Sequence, residues 1–166
     1  MPDDHVYLLP EEITNDLVYS IGAVTVASSR LELLAGIVYA RLLGGGLVAE
    51  MVTVGQSWRT VYGSATVILD RLSPIPVVTD LIAAFDRADK VYKERSEIVH
   101  GFWLDVSKDG HRIAVQARSH GRRGAKEWTV AELEAMRAEL VAVGTELQRL
   151  GGELPHDPSS ILAPLS

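Results

Sequence analysis

Apolar residues recur at spacings of three, four or seven along most of the chain, the period of helices that bury one face. From Glu11 onward, Leu17, Ile21, Val24, Leu31, Leu34, Val38 and Leu42 form such a stripe. Glu11 and Glu12 suit the first turn of a helix dipole and Gly44-Gly45-Gly46 ends it, so one long helix is expected, with Ser28-Ser29 as the place for a bend. A second stripe of Trp58, Val61, Tyr62, Ala65, Ile68, Leu69 and Leu72 predicts a helix over about 56–72. Residues 47–55 read two ways, because Val52, Thr53 and Val54 favour strand while the context is helical. Ser73-Pro74-Ile75-Pro76 is a break. A third helix is expected from near 77–80 to Gly101, along Leu81, Phe85, Ala88, Tyr92 and Val99. The last begins at Thr129, which forms an S/T-x-x-E capping box with Glu132. Its core face is Leu133, Met136, Leu140, Val143, Leu147 and Leu150, and Gly151-Gly152 reads as its stop.

Between the third and last helices the pattern changes. Phe102–Val106 and Arg112–Ala117 flank Ser107-Lys108-Asp109-Gly110, and Asp-Gly between two β-prone runs predicts a hairpin. A basic loop from Arg118 to Lys126 follows. The expected fold is mostly α, a four-helix bundle with a small β-hairpin insertion before the last helix. Residues 1–152 read as one domain and 153–166 as an irregular proline-containing tail.

Composition narrows the classes. The chain has 166 residues, 47% hydrophobic and 23% charged, which suits one globular domain. There is no cysteine, which excludes disulfides and thiolate metal sites and suits a reducing, cytoplasmic setting. The first residues lack the basic and apolar regions of a signal peptide. The most apolar stretch, 17–43, is interrupted by Ser28, Ser29, Arg30, Glu32 and Arg41, so no membrane span is expected from it. A net charge of -6 argues against indiscriminate nucleic-acid binding but leaves room for a local basic site. The histidines outside the third helix, His5, His111, His120 and His156, have no metal-ligand spacing. Gly44–Gly46 is not a phosphate loop, because no Lys-Ser/Thr follows it. Neither metal nor cofactor is expected.

The chemistry concentrates in Glu94-Arg95-Ser96-Glu97-Ile98-Val99-His100-Gly101. Arg95 falls on the apolar stripe of its helix, where it needs a partner or a covered cleft. Ser96 and His100 are four apart and share a face. Arg95 and His100 are roughly 140° apart around the helix and about 7.5 Å apart along it, so they border one cleft without touching. Arginine holds a phosphoryl group in a bidentate way, and histidine moves a proton near neutral pH. RNA carries its own nucleophile, the 2′-hydroxyl, so a cleaving site needs no metal. One histidine does not easily serve as base and acid in one step, whereas a twofold dimer with helix 77–100 near its axis supplies two.

Arg95-x4-His100 at the end of a helix in a four-helix pattern resembles the HEPN family, which carries R-x4–6-H there, often with a polar residue after the arginine. The likeness extends over residues 13–150. It implies a metal-independent endoribonuclease that works as a homodimer, with Arg95, Ser96 and His100 in the cleft. Members act as toxins, anti-phage effectors or RNA-processing enzymes, so an antitoxin or other regulatory protein is an implied partner. Ser96 stands where Asn, Asp or His is usual in active members. Arg118, Arg122, Arg123 and Lys126, beside Phe102 and Trp103, are candidates for guiding RNA, the alternative being a solvated loop. A rival reading keeps Arg95 structural, paired with Asp89 or another carboxylate, with His100 capping helix carbonyls. The second functional reading is a non-catalytic domain that uses the same helix for dimerisation or for binding nucleotide or protein.

Overall fold

The computed structural model describes residues 15–100, 102–108, 111–117, 125–155 and 157–161; of 102–117 and 125–127 only the backbone is described. The elements in chain order are α1 (Asn15–Leu42), α2 (Gly46–Thr53), α3 (Trp58–Leu69), α4 (Pro76–Val99), β1 (Phe102–Lys108), β2 (His111–Ala117), β3 (Ala125–Trp128), α5 (Val130–Glu153) and a 3₁₀ turn, Pro158–Ile161. The chain is thus a mostly helical bundle, with its core drawn from α1, α3, α4 and α5.

α1 runs unbroken through Ser28-Ser29. Both serine hydroxyls donate to the carbonyl of Thr25, at 2.8 and 3.1 Å, so a fully buried Ser28 is satisfied inside its own helix. By length and composition α1 is apolar enough to cross a membrane, which the interrupting polar residues had argued against. In this fold, however, α5 covers one side of it. The expected stripe is the buried one, since Leu17, Val24, Leu31, Leu34, Val38 and Leu42 are all in the core.

The ambiguous stretch after the glycines is helical. Gly44, Gly45 and Gly46 take φ of 94°, 69° and 79°, a left-handed run that other residues strongly resist, and it reverses the chain into α2. Burial of Ala49 and Thr53 then overrides the strand preference of Val52–Val54. Among the described residues the bundle therefore has five α-helices where four were expected. Ser57 caps α3, accepting from Thr60 N–H, and Pro76 starts α4.

β1 and β2 pair antiparallel, from Phe102 opposite Ala117 to Lys108 opposite His111. Asp109 and Gly110, the residues of the expected turn, lie outside the described residues. β3 pairs with β2, so Ala125 and Lys126 lie in a strand rather than a loop. Trp128 is buried at its end.

The Thr129–Glu132 capping box starts α5. Gly151-Gly152 does not stop it; the helix continues to Glu153. The reason is packing. A β-carbon at Gly151 would lie 2.7 Å from Val38 Cγ2, and one at Gly144 would lie 3.2 Å from Leu34 Cδ1. These glycines let α1 approach closely. Stepping from Gly144 to Gly151 moves the contact from Leu31 and Leu34 to Val38, so α1 and α5 run parallel. Arg41 fixes the register by donating to the Gly151 carbonyl at 2.6 Å. The described residues after α5 pack back onto the bundle and include the 3₁₀ turn. Leu154 is buried, and Ser73 N–H donates to the Ile161 carbonyl at 2.7 Å.

Candidate active site

α4 positions the site. Val78, Leu81, Ala84, Phe85, Ala88, Val91 and Ile98 face the core. Beyond Ala88 the buried row thus passes through Val91 and Ile98, not through Tyr92 and Val99, which are half-buried. Arg95 lies four residues after Val91 and three before Ile98, and it is half-buried too. Tyr92, one turn earlier, carries it: the Arg95 guanidinium carbon lies 5.2 Å from the centre of the Tyr92 ring.

That ring belongs to a column. Trp58 stacks on Tyr92 at 4.7 Å between centres, and on Tyr62 at 6.4 Å, with both pairs 16° from parallel. Each ring gives its polar edge to a carboxylate. Trp58 Nε1 donates to Asp89 at 3.1 Å, Tyr62 Oη to Asp86 at 2.9 Å and Tyr92 Oη to Glu32 at 2.6 Å. Burial, then the hydrogen bond and the charge of Glu32, push the Tyr92 hydroxyl up to about 12; Arg95 opposes them. The Tyr62 hydroxyl is also raised, first by its hydrogen bond to Asp86.

The expected alternative partner of Arg95 is engaged elsewhere. Asp89 accepts from Trp58 and forms an ion pair with Lys93. Arg95 Nε is buried with no hydrogen-bond partner among the described residues. The aromatic column therefore lies beside the guanidinium, whose buried Nε is left without a protein partner among the described residues.

His100 is exposed and is the C-cap of α4, with φ −103° and ψ 6°. Its N–H donates to the Ser96 carbonyl at 3.2 Å. Ser96, half-buried, thus meets His100 through the main chain, not through the hydroxyl that sequence spacing suggested. Arg118, Arg122 and Arg123 lie outside the described residues, and Lys126 is on β3. Among the described residues no group of three or more His, Asp or Glu is placed to hold a metal ion.

Sequence spacing places Trp58 and Tyr92 on the apolar stripes of their helices and does not reveal their role beside Arg95. The i, i+3 spacing of Tyr92 and Arg95 was the available signal. Nothing local points to Trp58 or Glu32. Compared with known proteins, the chain matches no family model, no curated protein and no solved structure.

Proposed function

We propose that this chain is a HEPN-like domain acting as a metal-independent endoribonuclease in a homodimer, with the sheet as an insertion in the bundle. The observation that carries the reading is the Arg95 guanidinium. Its carbon lies 5.2 Å from the centre of the Tyr92 ring, with a buried Nε unpaired among the described residues, five residues before an exposed His100. A half-buried guanidinium beside an aromatic ring, with a donor that has no protein partner among the described residues, suits a phosphate oxygen.

In this reaction His100 of one copy accepts the proton of a 2′-hydroxyl. The freed oxygen attacks the adjacent phosphorus, and Arg95 neutralises charge on the phosphorane. The phosphorus–5′-oxygen bond breaks, and His100 of the other copy protonates the leaving oxygen. A 2′,3′-cyclic phosphate remains. Arg118, Arg122, Arg123 and Lys126 draw the RNA backbone toward the cleft, and an antitoxin or other regulatory protein would act by covering it.

The test is cleavage of mixed RNA in EDTA by the purified protein. Cyclic-phosphate ends are expected, and single-stranded DNA should resist. His100→Ala should lower the rate by about 10²–10⁴-fold, and Arg95→Ala by about 10²–10³-fold, each with an unchanged circular dichroism spectrum. A wild-type protein that leaves RNA intact refutes the enzyme. Should that inactive protein still bind RNA through Arg95, the non-catalytic reading, which the net charge of -6 and Ser96 favour, takes its place.

A further inference from the structure

The outer side of α1 carries two interleaved heptad rows. Tyr19, Val26 and Leu33 are large and 73%, 71% and 64% exposed. Gly22, Ser29 and Gly36 are small and follow each of them by three residues. Among the described residues, a β-carbon added at Gly22 or Gly36 would meet nothing within 4 Å. Glycine weakens a helix interior, and the glycines of α5 have a packing reason that these two lack within the chain.

The apolar surface continues onto α2. Of the fourteen exposed large hydrophobic residues among those described, eleven lie from Val18 to Val54. α1 and α2 also enclose a groove of about 970 Å³, lined by Leu33, Gly36, Ile37, Thr53 and Val54 among others. At roughly 60 Å² of apolar side chain each, the eleven present on the order of 650 Å². Summed over the two helices, that approaches the ~800 Å² that one partner gives a stable interface.

We infer that α1 pairs with α1 of a second copy, antiparallel, about a twofold axis between Ala27 and Ser28. The pattern is self-complementary in this arrangement alone. It sets Tyr19 opposite the second copy's Gly36, Val26 opposite its Ser29 and Leu33 opposite its Gly22. A parallel pair would set large against large, glycine against glycine and Arg30 against Arg30. Antiparallel pairing also opposes the helix dipoles, and it lays the first half of one α1 into the groove beside α2 of the other. A lipid surface would accept the large residues but has no use for the notches. The α1 contact does not depend on the ribonuclease reading and is a separate interface from the α4 contact that would pair two His100 side chains; Glu32 serves both surfaces, since it lines the groove and holds Tyr92.

Sedimentation equilibrium at roughly 10–50 µM should show a dimer. Gly22→Leu/Gly36→Leu fills space that is open in a single copy, so the helix should persist while association through α1 weakens by at least about 100-fold, the loss of four tight contacts, two from each copy. His100→Ala and Arg95→Ala should remain dimeric, which separates failure of this inference from failure of the enzyme. The chain has no cysteine, so introduced thiols report register. A mixture of Val26→Cys and Ser29→Cys proteins should cross-link between the two variants in preference to either alone. A wild-type monomer, a glycine double variant that dimerises like wild type, or a monomer that sediments with phosphatidylcholine vesicles would overturn the inference.

Discussion

Replacing Tyr92 with phenylalanine removes one oxygen atom and leaves the ring between Trp58 and Arg95. The wild-type hydroxyl donates to Glu32 at 2.6 Å, and its ionisation is pushed up to about 12 from an ordinary 10.0. A group whose folded-state pKa is raised stabilises the fold fully below the unfolded value, and that stability is lost as pH rises through the folded value. The window here runs from 10.0 to about 12. Two pH units correspond to at most about 2.7 kcal/mol. Tyr92 is only half-buried, so solvent screening reduces this to about 1–2 kcal/mol, in line with a hydrogen bond to a charged acceptor. Urea denaturation should therefore find Tyr92→Phe about 1–2 kcal/mol less stable at neutral pH. The gap between the proteins should close as pH rises through that window, whatever other groups titrate in both. A gap that is absent at neutral pH, or that stays constant to the top of the window, would show that the Tyr92–Glu32 contact contributes nothing to folding.

Two further substitutions probe the supports of the site and the bundle. Asp89→Ala strands the buried Trp58 Nε1 and frees Lys93, so it should cost about 1–3 kcal/mol and shift Trp58 emission; Asp89→Asn, which keeps an acceptor, should cost less. Gly151→Ala should destabilise by about 1–2 kcal/mol against Val38, whereas Gly36→Ala, measured in dilute monomer, should stabilise by about 0.5–1 kcal/mol. Thermal unfolding shifts of the same sign for both would undo the distinction between packed and open glycines.

The helical core was legible because its information is local. Leu133, Met136, Leu140, Val143, Leu147 and Leu150 repeat at the helix period, and all six are buried. The Thr129 capping box needs only four residues, and both of its hydrogen bonds are present. Short α2 was not legible, because eight residues give the period little room and three of the last residues before Gly55 favour strand. Gly151-Gly152 misled for a different reason. A glycine that ends a helix and one that admits a neighbouring helix look alike until Val38 is in place. At the candidate site, Arg95, Ser96 and His100 stood out by spacing. What holds Arg95 did not: Tyr92, Trp58 and Glu32 come from three helices, and only folding brings them together.

The parallel pairing of α1 with α5 bears on how the chain reaches its fold. Arg41 and Gly151, which lock the two helices, are 110 residues apart in sequence. Contacts that distant close large loops and form late, so this bundle has a higher contact order than its helical content suggests, and it should fold more slowly than an up-and-down bundle of equal size. Until α5 arrives, Leu31, Leu34 and Val38 lie bare on one side of α1 while Tyr19, Val26 and Leu33 lie bare on the other. A nascent chain on the ribosome therefore displays a helix that is sticky on two sides for most of its synthesis, which makes it a natural client for chaperones that hold apolar segments.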